Sequence, residues 1–137
     1  MQPCAGKKPV VLVVEDEPLV RAVALAAVAA AACDVIEAAN ADEAIAILGQ
    51  RTDIHLIFTD INMPGSMDGL KLTHLVSDRW PHIKIVATSG QARISEQHLP
   101  QGGRFLPKPY KASQVANSLH ELIHGPRFSA VASRRPS

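Results

Sequence analysis

The 137-residue sequence has two cysteines, Cys4 and Cys33, and their spacing suits neither a metal site nor a redox pair. Cysteines so isolated read as free thiols in a reducing compartment, so disulfides are not expected to hold this fold. There is also no long hydrophobic run. The Ala-rich stretch Ala22–Ala32 lies between Arg21 and Asp34 and falls far short of the roughly 20 residues a membrane span needs. Lys7-Lys8 precede an apolar run, but Val10–Val14 passes straight into Glu15-Asp16-Glu17 without a small-residue cleavage site, unlike a secretion signal. Net charge is nearly absent, at +1, which gives no support for a nucleic-acid or anionic-membrane partner. A cytoplasmic chain with no nucleic-acid and no membrane partner is the expectation. The six histidines, His55, His74, His82, His98, His120 and His124, have no zinc-like pairing with cysteines or carboxylates. None sits in a helical-bundle context that would suit a phosphoaccepting histidine.

What is present is an ordinary globular composition, 47% hydrophobic and 20% charged, at a length that builds one core. Short apolar runs alternate with amphipathic segments. Val10–Val14 is a continuous β-branched run, as expected of a strand covered on both faces. A first helix is expected from Pro18 to about Ala31, and Val35-Ile36 mark a second strand. Asn40 reads as an N-cap with Glu43 completing a capping box, and Gly49 as the end of that helix. Ile54–Thr59 reads as a third strand. After the loop Met63–Asp68, Leu72, Leu75 and Val76 define a helix that stops before Pro81. Ile83–Ala87 and Phe105-Leu106 read as further strands, Ala92–His98 as a short fourth helix, and Lys111–His124 as the last helix. This alternation argues for an α/β fold, a parallel sheet with helices on both faces. Residues 1–6 are expected to be a flexible N-terminus, 7–124 the domain, and 125–137 a disordered tail.

In such a sheet, ligands bind outside the carboxyl ends of the strands. Polar residues fall at those ends: Glu15 and Asp16 after the first strand, Asp60 after the third, Thr88 and Ser89 after the fourth, Lys108 after the fifth. Each alone has an ordinary explanation as an acidic helix start, a turn-capping Asp, a polar strand end or a solvated lysine. Together at matching ends they form a constellation. Clustered carboxylates repel and either protonate or recruit a cation. An all-oxygen set suits Mg²⁺ or Mn²⁺, which offsets the repulsion between an anionic nucleophile and a phosphoryl group. Lys108 adds a compact positive charge and Thr88 a hydroxyl donor.

The pattern Glu15-Asp16, Asp60, Thr88 and Lys108-Pro109 resembles the receiver domain of two-component response regulators, over about Lys7 to His124. The resemblance implies a flavodoxin-like (βα)5 fold, a doubly wound five-stranded parallel sheet of order 2-1-3-4-5. It implies that Asp60 accepts a phosphoryl group from a histidine kinase or a histidine phosphotransfer protein. It further implies that Asp16, Asp60 and the Asn62 carbonyl hold Mg²⁺, with Glu15 acting mostly through water. Lys108-Pro109 resembles the family's cis peptide, and Phe105 its switch aromatic, coupled to Thr88. The expected activity is that of a stand-alone switch, not a turnover enzyme, existing as a monomer or weak homodimer. Its output would run to a downstream protein through the face of the fourth helix, fifth strand and last helix.

The sequence departs from the family pattern in three places. The loop from Met63 to Gly69 is one residue longer than usual, the Thr88-to-Lys108 stretch is slightly short, and Gly90 puts no side chain beside the phosphoryl site. Within the family, a phosphorelay intermediate or phosphate sink is the alternative role. From another class, a Mg²⁺-dependent haloacid-dehalogenase-type phosphatase would want a second carboxylate two residues after the nucleophile, where this chain has Asn62. A flavin module would want a phosphate-binding loop where Glu15-Asp16-Glu17-Pro18 stand.

Overall fold

The computed structural model describes residues 8–62, 68–90 and 95–124. Five strands, β1 (Val10–Val14), β2 (Asp34–Ala38), β3 (Leu56–Asp60), β4 (Lys84–Ser89) and β5 (Arg104–Pro107), alternate with α1 (Pro18–Ala30), α2 (Ala41–Gln50), α3 (Gly69–Arg79) and α4 (Ala112–His124). The strands form one parallel sheet in the order β2-β1-β3-β4-β5. The order reverses between β1 and β3, which opens a crevice at their carboxyl ends.

Alternation along the strands sorts the core into two layers. Leu12, Val14, Ile57 and Ile85 face α2 and α3, where Ala44, Leu48, Leu72 and Val76 meet them. Val11, Val13, Phe58 and Val86 face α1 and α4, against Ala24, Val28, Val115 and Leu119. Burying each large aliphatic side chain contributes about 1.5–3 kcal/mol. A one-residue slip of any strand would turn its whole set to the wrong layer, so the register is firmly specified.

Local chemistry sets the helix starts. Pro18 occupies the first turn of α1, where its missing N–H costs nothing, and the Glu17 side chain caps Leu19 N–H. Asn40 Oδ1 accepts from Glu43 N–H at 2.8 Å. The Glu43 carboxylate reaches back to Ala39 N–H at 2.7 Å, one residue earlier than in the expected capping box. Asp68 caps α3 through Lys71 N–H at 2.9 Å.

Three expectations need correction. Gly49 lies inside α2, because the helix continues until Arg51 N–H closes on the Ile47 carbonyl. Among the described residues, the expected fourth helix is a single 3₁₀ turn, Glu96–His98. There His98 Nδ1 accepts from Ser95 N–H, and the chain then turns through Pro100 and the positive-φ Gly102 into β5, leaving no room for further turns. Residues 91–94 of that expected helix lie outside the described residues, as do residues 1–7, the loop 63–67 and the tail 125–137. Finally, β3 and β4 extend one and two residues beyond the expected ends, so Asp60, Thr88 and Ser89 are strand residues.

Candidate functional site

The hydrophobic ladder carries its polar ends to one place. Glu15 follows β1, and its N–H makes the last β1–β2 bond, to the Ala38 carbonyl at 3.1 Å. Asp60 ends β3 in register with Thr88 on β4. Ile61 N–H donates to the Thr88 carbonyl at 2.8 Å, locking the two strand ends together. Lys108 N–H donates to the Ser89 carbonyl at 2.9 Å and extends β5 into a cis Lys108–Pro109 peptide.

Glu15 and Asp60 are 4% and 6% exposed, and Thr88 is 1% exposed. Burying carboxylates to this degree is costly without compensation. Lys108 Nζ supplies part of it, 3.2 Å from Asp60 Oδ2 and 3.4 Å from Glu15 Oε1. Asn62 N–H donates to Asp60 Oδ1 at 3.1 Å, and Glu17 N–H to Glu15 Oε2 at 3.2 Å. The compensation is incomplete. Burial, then the charge of Asp60, pushes the Glu15 carboxyl above its ordinary value, although the Glu17 N–H and Lys108 pull the other way.

Carboxylate oxygens of Glu15, Asp16 and Asp60 all lie within 4.8 Å of one another, with Asp16 the more solvent-accessible. Three acidic groups against one ammonium leave room for positive charge. Oxygen donors at this spacing, open to water on one side, fit a hard divalent ion such as Mg²⁺. Asn62, whose carbonyl is the remaining expected ligand, is held beside them by its bond to Asp60 and by Ser89 Oγ, which donates to its Oδ1 at 2.8 Å.

Phe105 is half-buried on β5 and packs against the cluster of Ile61, Ala87 and Leu99. Ala87 is its register partner and immediately precedes Thr88. The structure thus brings Glu15, Asp16, Asp60, Asn62 and Lys108 into one pocket, with Thr88 at the neighbouring strand end and Phe105 one layer behind.

Other residues contribute that sequence patterns do not single out. Gly69 opens α3 so tightly against β3 that a Cβ there would overlap the Asp60 carbonyl oxygen. Its N–H donates to the Ile61 carbonyl at 2.8 Å. Tyr110 packs edge-on against Phe58 at 5.8 Å between ring centroids. Burial, followed by the charges of Glu15 and Asp60, raises the pKa of its phenol. Arg21 donates from Nη1 to the Glu15 carbonyl at 2.8 Å. Asp68-Gly69 had only a loop signature; Arg21 and Tyr110 had none.

Comparison with known proteins agrees with this geometry. Residues 11–120 match the response regulator receiver domain family. The chain is 33% identical over 117 residues to the sensor kinase CckA of Brucella abortus, covering 82% of this chain and 12% of that protein. It is 31% identical over 117 residues to the DNA-binding transcriptional regulator NtrC of Salmonella typhimurium, covering 83% of this chain and 24% of that one. The chain therefore spans a minor part of the length of these relatives. The solved receiver domain of NtrX from Brucella abortus superposes with a TM-score of 0.76 at 28% identity, over 83% of this chain and 98% of that domain. The five-stranded order, the strand-end carboxylates and the family match lead to one conclusion: the chain belongs to the response regulator receiver domains of two-component signalling.

Proposed function

We propose that the chain is a Mg²⁺-dependent phosphoaspartate switch, with Asp60 accepting a phosphoryl group from a histidine kinase or histidine phosphotransfer protein. One observation carries this reading. The buried Asp60 carboxylate ends β3 in contact with Lys108, within 4.8 Å of the Glu15 and Asp16 oxygens.

In the proposed step an Asp60 oxygen forms a bond to phosphorus as the phosphorus–nitrogen bond of the donor imidazole breaks. The imidazole leaves with that electron pair and takes a proton from water. Such transfers depend on positioning and on stabilising charge at the phosphoryl oxygens. Lys108 Nζ passes from Asp60 Oδ2 to a phosphoryl oxygen, and the Thr88 hydroxyl donates to another. Mg²⁺ held by Asp16, Asp60 and the Asn62 carbonyl, with Glu15 acting through water, would neutralise charge on the incoming group. Because Ala87 packs beside Phe105, a shift of Thr88 reaches the outer face of β5. There Arg104 bridges Glu96 of the 3₁₀ turn and Glu121 of α4, and this face would carry the output to a downstream protein.

A protein donor must dock beside Asp60, and the surface there suits one. Leu19 and Val23 on α1 are 78% and 61% exposed. With Val20, Pro109 and Tyr110 they line an apolar depression of about 510 Å³ bordered by Lys108. The role is that of an acceptor and not of a turnover phosphatase, since the general-acid position two residues after Asp60 is Asn62. A reducing cytoplasm accords with the buried free thiol of Cys33. No described helix is long and apolar enough to cross a membrane.

Incubation with Mg²⁺ and acetyl phosphate tests the reading. One hydroxylamine-labile phosphoryl group is expected by mass spectrometry, lost in Asp60→Asn and on chelation. Unchanged labelling of Asp60→Asn would overturn the assignment.

A further inference from the structure

We infer that Arg21 is a positioning residue for the metal-binding carboxylates, acting through the backbone carbonyl of Glu15. The inference rests on the reading of Glu15, Asp16 and Asp60 as a cation site. The β1–β2 ladder runs from Val10↔Asp34 to Val14↔Ala38, and Glu15 N–H to the Ala38 carbonyl is its last bond. In a parallel ladder the Glu15 carbonyl would go to the next N–H of the neighbouring strand. That strand has ended at Ala38, and Asn40, whose N–H would be next in line, has left the ladder to cap α2. The carbonyl therefore lies one step beyond the sheet, where a side chain must satisfy it.

Arg21 does so from the first turn of α1. Its backbone N–H closes on the Glu17 carbonyl at 2.8 Å, which directs the side chain back over the loop. Nη1 donates to the Glu15 carbonyl at 2.8 Å, while Nε pairs with Glu37 Oε1 at 3.0 Å. The Arg21 side chain is 20% exposed, and its guanidinium is held by an acceptor on each of two sides. A planar fork can hold two acceptors at once, which an ammonium on a flexible stem cannot do with the same geometry.

The consequence follows from covalent geometry. The Glu15 carbonyl belongs to the peptide plane that joins Glu15 to Asp16. Fixing that oxygen fixes the direction in which Asp16 leaves the strand end, and with it the separation of the two carboxylates from Asp60. Arg21 reaches the site through the Glu15 backbone carbonyl and forms no ion pair with the carboxylates of Glu15, Asp16 or Asp60. Glu37 ties the same arginine to β2, so the edge strand is mechanically connected to the metal-binding loop.

Mn²⁺ binding to the full chain, followed by electron paramagnetic resonance, tests this without requiring phosphorylation. Outer partners that orient ligands typically change metal affinity by about 10–100-fold when removed. Arg21→Ala is expected to weaken Mn²⁺ about tenfold by that measure, and Arg21→Lys to restore only part of the loss. Wild-type affinity in both variants overturns the inference, even if Arg21→Ala melts earlier, because only a general structural role would then remain. Complete restoration by lysine also overturns it, since charge alone would suffice. If Arg21→Ala does not fold, folded Arg21→Lys decides: weakened binding supports the role and wild-type binding overturns it. A wild-type chain that binds no Mn²⁺ overturns the cation-site reading itself and this inference with it.

Discussion

Before β3, at the amino-terminal edge of the sheet, Arg51 and Asp53 pair through two bonds of 2.9 and 2.6 Å with 45% and 50% of their side chains in solvent. At the carboxyl edge of the same strand, Asp60 is 6% exposed and shares one ammonium with Glu15. The first arrangement balances one charge with one partner in high dielectric. The bond from Arg51 pulls the Asp53 carboxyl down to about 2. The second leaves three carboxylates facing one lysine, and burial drives Glu15 upward. Ion pairs at a sheet edge are therefore not equivalent. The balanced one is complete as it stands, whereas the unbalanced one keeps an excess of negative charge that a cation could offset.

Packing differs as sharply as charge, and this gives the largest expected effect. A Cβ on Gly69 would overlap the backbone of Asp60 and Ile61, which cannot yield without moving the strand end. Gly49, in the last turn of α2, has open space around it. Gly69→Ala is expected to lose about 3 kcal/mol or more in urea unfolding, the upper range for overpacking. Gly49→Ala should gain up to about 1 kcal/mol from helix propensity. Equal midpoints for the two variants would erase the distinction between the crowded edge and the open helix.

The same contrast explains what could be read in advance. Glu15, Asp60, Thr88 and Lys108 were legible because each follows an apolar run, and parallel α/β order brings run ends together. The sheet order itself came through the family resemblance carried by those residues. Gly69 was not legible, since its role depends on how closely α3 approaches the β3 backbone, a distance no local pattern encodes. Arg21 joins partners 6 and 16 residues away on different elements. The misread fourth helix failed for a local reason: the Ser95–His98 cap and the turn at Gly102 compete with helix extension. Local chemistry at strand ends was thus readable, and tertiary approach was not.

Titration sharpens the electrostatic half of the comparison. Glu15 has a folded pKa above its unfolded value of 4.5, so in chelator the folded chain holds this proton more tightly than the unfolded one. Stability owed to this group is present below 4.5 and falls as pH rises through the folded value. Glu15→Gln should abolish that decline and raise the denaturation midpoint of the metal-free chain near neutral pH. Mg²⁺ should reverse it in the wild type, because a bound cation favours the ionised form. A wild-type midpoint that rises with pH over this window, after subtraction of the Glu15→Gln profile, would contradict the assignment of burial and Asp60 as the dominant causes.

Asp53 has the opposite sign and the smallest effect. Its folded pKa, about 2, lies below the ordinary 3.8, so the unfolded chain takes up the proton first as the solution is acidified. The stabilisation is present above 3.8 and disappears as pH falls through about 2. Solvent screens the pair, and salt screens it further. Asp53→Asn should therefore lower the denaturation midpoint only slightly at neutral pH, and the difference should vanish in molar salt and at strongly acid pH. The Glu15→Gln effect should persist in the same salt, because its causes are burial and a neighbouring carboxylate 6% exposed. Parallel salt titrations of the two variants decide the matter. If the Asp53 effect were as large and as salt-resistant as that of Glu15, exposure would not be what separates the two edges, and the case for an incompletely balanced carboxylate at Glu15 would lose its reference.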